Sequence, residues 1–402
     1  MKKLYLVLVF SILFLFVNKN SYSQWAAQNY GVNNLASISF VSQTVGFVVD
    51  FWPKLYMTTN GGLNWNYIAD VPINTRKIWF TSASTGYALG DNAYAGILKT
   101  TDGGYTWTGQ ILQGWNFQYG SGYIRFFNQT DGVIGYVNDT LTVGYSVIYK
   151  TTDAGATWQN VNSVVTGLRS RFCFLDVNTG FESNDSTIFK TTDAGVTWNP
   201  IYTVPAGGHR IFHINFPNLT LGYMTDELGY GFATHDGGVT WNMNLLPGSP
   251  FIQDSWFPTP GSGFLIGGTG GNVGVIISTS DSGNTWQNLT APIHTLYSVM
   301  FPTANVGYTC GDGGEIWKYS LPVGIHENHR ENGTNIFPNP ATNTITISTK
   351  EEQTNEIIDV LGQKIVSIKT NPSENITIDI SSYPNIFFIK TPNGVKKIIR
   401  VN

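Results

Sequence analysis

Residues 97–107 read Ile-Leu-Lys-Thr-Thr-Asp-Gly-Gly-Tyr-Thr-Trp, and the last eight of them carry a turn motif, Thr/Ser-x-Asp/Asn-x-Gly-x-x-Trp. Six copies of the motif occur, at residues 58–65, 100–107, 151–158, 191–198, 234–241 and 279–286. Successive copies are 40 to 51 residues apart. This period is typical of a four-stranded propeller blade and is longer than the repeat of a leucine-rich or hexapeptide solenoid.

A second pattern runs in phase with the first: a Phe is followed six residues later by a Gly. It occurs seven times, at Phe40, Phe80, Phe126, Phe174, Phe216, Phe257 and Phe301. In six of the seven copies an apolar residue two positions before the Phe gives the period of two expected of a strand. Each repeat therefore predicts strand a ending at the Phe, strand b beginning at the Gly, strand c ending at the motif Thr and strand d beginning at the Trp.

The last repeat provides strands a, b and c but no strand d. At the other end of the chain, Gln24-Trp25-Ala26-Ala27 provides a Trp before the first Phe. Pairing these two segments would close a ring and remove open strand edges. The sequence thus predicts an all-β chain in which residues 24–320 form a seven-bladed β-propeller.

The polar residues of the turn motif suggest catalysis or metal binding, but turn chemistry explains them. The Asp or Asn accepts hydrogen bonds from N–H groups of its own turn, and the Gly takes a positive-φ position. A catalytic residue is needed once, whereas a turn residue is needed once per blade. A structural role is therefore predicted for Asn60, Asp102, Asp153, Asp193, Asp236 and Asp281, and for Trp65, Trp107, Trp158, Trp198, Trp241 and Trp286.

These repeats resemble the BNR/Asp-box superfamily, and residues 86–107 resemble the photosystem II assembly-factor propellers of plants and cyanobacteria. The resemblance implies a fold and not an activity. Sialidases also carry Asp-boxes, but their chemistry needs an arginine cluster, a Tyr nucleophile and an acidic partner. Xyloglucanases with similar repeats use two propellers, and one is predicted here. A glycan-active hydrolase of the sialidase-like class is the alternative to a non-catalytic binding module.

Composition narrows the function further. Residues 24–320 hold 18 Asp and Glu against 11 Lys and Arg, which disfavours binding to nucleic acid. The sequence has no His/Cys/Asp cluster at metal-ligand spacing, no phosphate-binding Gly-rich loop and no nucleophile elbow. We therefore predict no catalytic residue, metal or cofactor, and we expect a monomer. Cys173 and Cys310 are predicted to lie in distant blades, as free thiols.

A ligand is predicted to bind on the face opposite the turn motifs. Because strands alternate in direction, the b–c turns and the d–a connections share that face. Arg and aromatic residues, which are enriched in binding hot spots, cluster there. The candidates are Arg76, Trp115, Tyr119, Tyr123, Arg125, Arg169, Arg171, His209, Arg210 and Asp254. The ligand would be an extracellular protein or glycan. The alternative is that these charged groups solvate a β surface while the aromatics pack between blades.

The N-terminus has the pattern of a secretory leader. Lys2 and Lys3 precede an apolar run over residues 4–17, and Ser21 and Ser23 precede a predicted cleavage site. Residues 1–23 are therefore predicted to be a signal peptide. The apolar run is shorter than a transmembrane helix requires.

After a polar linker at residues 321–335, residues 336–402 contain short alternating strands that predict a small Ig-like β-sandwich. This region resembles the type A sorting domain of the type IX secretion system of Bacteroidota. The matching motif residues are Pro338, Asn339, Pro340, Asp359, Gly362, Lys396 and Lys397. The resemblance implies delivery to the cell surface or the medium, with the type IX machinery as partner. A generic adhesive sandwich is the alternative.

Overall fold

The computed structural model describes residues 25–29, 31, 33–91, 96–110, 112, 122–139, 144–161, 171–205, 209–290, 292–321, 334–359, 364–372, 374–384, 386–392 and 394–400. The predicted signal peptide and most of the predicted linker lie outside these residues. The chain divides into two compact units, Met1–Ser320 and Leu321–Asn402. Both units are built from β-strands, with one short 3-10 turn at Asp312–Gly314 in the described part. The described residues contain no helix of the length and apolarity that crossing a bilayer requires.

The described part of the first unit consists of seven four-stranded antiparallel sheets. The N-terminal strand β1 (Trp25–Asn29) belongs to the last of them. Sheet 1 contains β2 (Leu35–Phe40), β3 (Gly46–Asp50), β4 (Lys54–Thr58) and β5 (Asn66–Asp70). Sheet 2 contains β6 (Asn74–Phe80), β7 (Gly86–Asp91), β8 (Ile97–Thr100) and β9 (Thr108–Gln110). Sheet 3 contains β10 (Gly122–Phe126), β11 (Gly132–Asp139), β12 (Gly144–Thr151) and β13 (Gln159–Asn160).

The remaining sheets follow the same order. Sheet 4 contains β14 (Arg171–Phe174), β15 (Gly180–Ser183), β16 (Thr187–Thr191) and β17 (Asn199–Thr203). Sheet 5 contains β18 (Ile211–Asn215), β19 (Gly222–Asp226), β20 (Tyr230–Thr234) and β21 (Asn242–Leu245). Sheet 6 contains β22 (Phe251–Thr259), β23 (Ser262–Gly268), β24 (Gly274–Thr279) and β25 (Gln287–Thr290). Sheet 7 contains β26 (Leu296–Thr303), β27 (Val306–Gly311), β28 (Glu315–Ser320) and β1.

The two ends of the first unit meet in sheet 7. Strand β1 pairs antiparallel with β28, and Trp25 lies opposite Tyr319. The first strand of each sheet, here called strand a, contacts strand a of the next sheet along the chain. Strand β26 in turn contacts β2, so strands a of sheets 7 and 1 are also neighbours.

The Gly near the start of strand b, which is its first residue in sheets 1 to 5 and its second in sheets 6 and 7, is required by the Phe six residues earlier. In all seven repeats the Phe ring lies over that Gly, and a Cβ atom there would come within 2.0 to 2.8 Å of the ring carbons. Carbon atoms do not approach so closely, so only Gly fits beneath the ring. This contact explains why the six-residue Phe-to-Gly spacing recurs.

The same Phe also packs against the preceding sheet. Stacked pairs with ring centres 3.5 to 5.1 Å apart are Phe40–Tyr308, Phe47–Phe80, Tyr87–Phe126, Phe181–Phe216, Tyr223–Phe257 and Phe264–Phe301. The motif Trp packs edge-on against this ladder, as Trp241 does against Phe216 at 5.9 Å. Aromatic pairs in such offset and edge-on geometries stabilise a core beyond the area they bury.

The turn motif is held by its own side chains. Thr100 Oγ1 donates to Asp102 Oδ1 at 2.8 Å and accepts from Gly104 N–H at 2.9 Å. Thr106 donates to Asp102 through both its N–H, at 3.0 Å, and its hydroxyl, at 2.6 Å. Asn60 takes the place of the Asp in the first turn and accepts through Oδ1.

Strand d begins one residue after the motif Trp, and not at the Trp as predicted. In two of the six turns the indole of this Trp bonds back to its own turn. Trp107 Nε1 donates to the carbonyl of Gly104 at 3.0 Å, and Trp241 makes the equivalent bond to Gly238.

The second unit contains two sheets. One has three strands, β29 (Asn335–Phe337), β30 (Thr344–Ser348) and β33 (Asn375–Asp379). The other has four strands, β31 (Gln353–Ile358), β32 (Lys364–Thr370), β34 (Ile386–Thr391) and β35 (Gly394–Ile399). Ile345 and Ile347 from the first sheet share one core with Ile357, Phe387 and Ile389 from the second.

Candidate functional site

The residues one and three positions before the recurring Phe lie on the same side of strand a, because side chains alternate along a strand. The residue directly before the recurring Phe defines what we call the lower tier. Its members are Ser39, Trp79, Arg125, Cys173, Asn215, Trp256 and Met300. The residue two positions earlier defines the upper tier. Its members are Ser37, Lys77, Tyr123, Arg171, His213, Asp254 and Ser298.

Residues of both tiers line a channel between the seven strands a. Its inner part, the lower chamber, has a volume of about 140 Å³ and walls that include Trp79, Arg125, Cys173, Trp256 and Met300. Its outer part, the mouth, has a volume of about 270 Å³. The mouth is lined by, among others, Phe51, Arg76, Arg171, Gln253 and Tyr297. Lys77, Tyr123, His213 and Asp254 line both parts.

Tier side chains also join neighbouring sheets. Ser39 Oγ accepts a hydrogen bond from Phe80 N–H at 2.9 Å, and Cys173 Sγ accepts one from Phe216 N–H at 3.1 Å. In the same way, the Tyr123 hydroxyl accepts from Phe174 N–H at 3.1 Å. Asp254 Oδ2 accepts from Val299 N–H at 3.1 Å, and Ser298 Oγ accepts from Ile38 N–H at 3.4 Å. Strand a is the edge of its sheet, so these bonds satisfy backbone groups that the sheet leaves unpaired.

One ion pair connects sheets 2 and 6. Lys77 Nζ lies 4.0 Å from Asp254 Oδ2. The Asp254 carboxylate also accepts from Ser255 N–H at 2.9 Å. Burial raises the pKa of Asp254, and the charge of Lys77 opposes that shift. Asp254 is therefore held by backbone groups and by one cation.

Arg125 is the charged residue of the lower tier. Its Cζ lies 5.7 Å from the ring centre of Phe127 and 5.9 Å from that of Trp256 in sheet 6. Its charge acts on the Tyr123 phenol and lowers the pKa of that group, against the larger effect of burial. Burial raises the pKa of Tyr123 to about 12, so the phenol stays protonated.

His213 contributes a neutral group. Its Nε2 lies 2.8 Å from Ser255 Oγ. Burial, together with the charges of Arg171 and Lys77, lowers the pKa of His213 to about 3. The imidazole is therefore uncharged at neutral pH.

Two arginines at the mouth rest on aromatic rings. Arg76 Cζ lies 4.8 Å from the ring centre of Phe51, which packs edge-on against Tyr297 at 5.5 Å. Arg171 Cζ lies 5.5 Å from the Phe212 ring, and its Nε donates to the Phe212 carbonyl at 2.9 Å. Such contacts hold a guanidinium in place while its outer face stays accessible.

The structure brings together five of the predicted binding residues, namely Arg76, Tyr123, Arg125, Arg171 and Asp254, which line the channel. His209 and Arg210 contact their own sheet instead. His209 Nδ1 bonds to the buried carboxylate of Asp226, and Arg210 Nε lies 3.8 Å from Glu227. Trp115, Tyr119 and Arg169 lie outside the described residues.

Sequence reasoning missed several channel residues, among them Trp79, His213 and Trp256. A usable signal was present for these three, because each lies one or three positions before the recurring Phe. Applying the period of two to all seven repeats would have found them.

The sorting-motif residues lie in the second unit. Pro338, Asn339 and Pro340 follow β29, and Asp359 follows β31. Lys396 and Lys397 lie in β35, and Lys396 Nζ donates to the carbonyl of Thr334 at 2.7 Å. Gly362 lies outside the described residues.

The second unit matches a known family. Residues 335–401 match the family described as "Secretion system C-terminal sorting domain". The chain is therefore exported by type IX secretion to the cell surface or the medium. No curated protein matches the chain.

Solved structures similar to the chain are propellers. "YCF48 bound to D1 peptide" has a TM-score of 0.60 and 20% sequence identity, over 75% of this chain and 98% of that chain. "YCF48 from Cyanidioschyzon merolae" has a TM-score of 0.57 and 16% identity, over 74% of this chain and 98% of that one. This confirms the resemblance to photosystem II assembly-factor propellers.

A GH74 xyloglucanase from Xanthomonas campestris is also similar. Its TM-score is 0.55 and its identity 12%, over 81% of this chain and 59% of that one. At these identities the similarity shows a shared propeller fold and not a shared activity.

Proposed function

We propose that the chain is an exported, non-catalytic binding module whose ligand binds at the mouth of a central channel. In this proposal the seven sheets are seven blades of one ring over residues 24–320. Residues 336–402 form an Ig-like sandwich that directs export, after a signal peptide at 1–23 and a linker at 321–335. The contacts between successive strands a, including β26 with β2, support the ring.

The observation that carries the proposal is the side-chain content of the two tiers. The Phe, the Gly six residues later and the turn-motif residues recur from repeat to repeat. In the tiers, Lys77, Arg125 and Arg171 come from three different sheets to one concave site. A concave pocket with a few convergent polar groups is the usual form of a ligand site.

The charge of the site indicates the ligand's chemistry. Arg76 and Arg171 give the mouth a positive surface within a unit whose net charge is negative. Arginine recognises carboxylate and similar planar anions through paired hydrogen bonds. We therefore propose an acidic protein or glycan as the ligand. YCF48 has been solved with a peptide, which supports testing peptides first.

A binding role also fits the state of Asp254. Its oxygens accept from Ser255 N–H and Val299 N–H and face Lys77. A carboxylate engaged in this way fixes a strand edge and is poorly placed to transfer protons to a substrate. Glycoside hydrolysis of the common kind needs two carboxylates that flank the scissile bond.

The test is a screen of the purified full chain against peptide and glycan arrays, with turnover assays on sialosides and β-glucans. We expect saturable binding without turnover, and at least a tenfold loss of affinity in Arg76→Ala. Lys190→Ala is the matched control, because Lys190 also rests on an aromatic ring, 5.6 Å from Phe181, on strand β16. Hydrolysis of an array glycan by the purified chain would overturn the non-catalytic assignment.

A further inference from the structure

We propose that the lower chamber binds one small organic carboxylate that carries a single ring, with Arg125 as its anchor. This inference deepens the proposed function and rests on it, because such a ligand enters through the mouth. It concerns a different part of the channel, however, and different residues carry it.

The first observation is an unbalanced charge. Arg125 is half-buried inside the channel between the rings of Phe127 and Trp256. The carboxylate of Asp254 already faces Lys77, and none of the ion pairs among the described residues includes Arg125. A charge inside a protein is normally paired, since desolvation without a partner costs several kcal/mol.

The groups nearest to Arg125 do not provide the missing anion. Its electrostatic neighbours are Tyr123 and Cys173. Burial raises the pKa of Tyr123 to about 12 and also raises that of the Cys173 thiol. Both groups are therefore neutral at physiological pH, and an anionic ligand would complete the site.

The second observation is a hydrogen-bond donor beside the cation. The Tyr123 hydroxyl oxygen accepts from Phe174 N–H at 3.1 Å, and the charge of Arg125 acts on the same phenol. Among the described residues, no hydrogen bond has this hydroxyl as its donor. A carboxylate in the chamber would accept from both Arg125 and Tyr123, and hydrogen bonds to a charged acceptor are the stronger class.

The third observation is the size of the chamber. Its volume of about 140 Å³ is close to that of an apolar cavity of about 150 Å³ that binds benzene. Trp79, Trp256 and Met300 supply apolar wall, while Arg125 and Tyr123 supply the polar contacts. The chamber thus suits one ring with one carboxylate.

The experiment is calorimetric titration of the purified full chain with benzoate and with benzamide, which has the same shape but no charge. We expect saturable binding of benzoate and at least tenfold weaker binding of benzamide. In Arg125→Met, benzoate affinity should fall at least tenfold. Lys190→Met removes one cation from an aromatic contact elsewhere, and it should leave benzoate affinity within about twofold.

Equal affinity for benzoate and benzamide in the unaltered chain would overturn the inference, and so would full displacement of benzoate by equimolar chloride. Both measurements need no variant, so they stand even if Arg125→Met fails to fold. If array ligands bind through Arg76 while benzoate does not bind, this inference fails and the proposed function survives. If benzoate binds through Arg125 and no array ligand binds, this inference survives and the proposed ligand class at the mouth fails.

Discussion

Two adjacent positions of strand a differ sharply in how they vary among the seven sheets. The Phe position is the same in every repeat, and its ring always covers the following Gly. The residue just before it is of six different types in the seven repeats: Ser39, Trp79, Arg125, Cys173, Asn215, Trp256 and Met300. Packing between sheets requires a Phe at the first position, whereas the channel accepts several residue types at the second. The residues that do not repeat are therefore where a ligand would be recognised.

The largest expected effect is on stability, and it distinguishes the Phe position from the lower-tier position just before it. Phe216→Ala removes a buried ring that stacks on Phe181 at 3.5 Å, and it should cost about 3 to 5 kcal/mol of unfolding free energy. Asn215→Ala, one residue earlier, removes hydrogen bonds to Ser255 and should cost about 1 kcal/mol. Denaturant unfolding of both variants measures the difference. Equal losses would mean that the tier residue is as structural as the Phe.

Removing a tier side chain that joins two sheets should have an intermediate effect on stability. Ser39→Ala leaves the buried N–H of Phe80 without the acceptor that now lies at 2.9 Å, and this should cost about 1 to 3 kcal/mol. Thr44→Ala on an exposed loop is the control and should change stability by less than about 0.5 kcal/mol. A negligible loss in Ser39→Ala would show that water replaces the serine in the channel.

Acid should weaken the repeated turns. Hydrogen bonds from the Thr four residues later lower the pKa of Asp102, Asp153 and Asp193 to about 2. In the unfolded chain the value is about 3.9. The stabilisation is therefore complete above about pH 4 and is lost as the pH falls through 2.

Thermal midpoints between pH 4 and pH 2 test this expectation, with the triple Asp→Asn variant at these three positions as the comparison. The first turn already uses Asn60, so an amide can hold the turn. The triple variant should lose less of its midpoint over this range than the unaltered chain. The same loss in both proteins would place the acid-sensitive groups elsewhere.

The reactivity of the two thiols is where the smallest effect is expected. Cys173 and Cys310 are buried in sheets 4 and 7, and burial raises the pKa of both. A thiol reagent should react slowly with the folded chain and should find two thiols after unfolding without reductant. Fewer than two reactive thiols would indicate a disulfide and contradict the sheet order.

Much of the first unit could be predicted because its packing repeats. The Phe-to-Gly spacing and the turn motif gave strand c endings at Thr58, Thr100 and Thr151 as the structure has them. In the second unit the sequence predicted only a small sandwich of short alternating strands, because no turn motif there marks where one strand ends and the next begins.

The channel was only partly predictable. Arg125 and Arg171 could be chosen from residue type and position, because arginine is enriched in binding sites. His209 and Arg210 have similar chemistry in sequence, but in the structure they bond to Asp226 and Glu227 of their own sheet. Which of two adjacent polar residues faces a channel depends on the register of strand a, and β-bulges shift that register in several sheets.

The most direct test of the channel as the binding site compares Arg171→Ala with Arg210→Ala. Both arginines were candidates from sequence, and both lie near the start of strand a. Arg171 lines the mouth, whereas Arg210 lies beside Glu227. For the ligand that binds best in the array screen, we predict at least a tenfold loss of affinity in Arg171→Ala and less than a twofold change in Arg210→Ala. Unchanged affinity in Arg171→Ala, or an equal loss in both variants, would contradict the account.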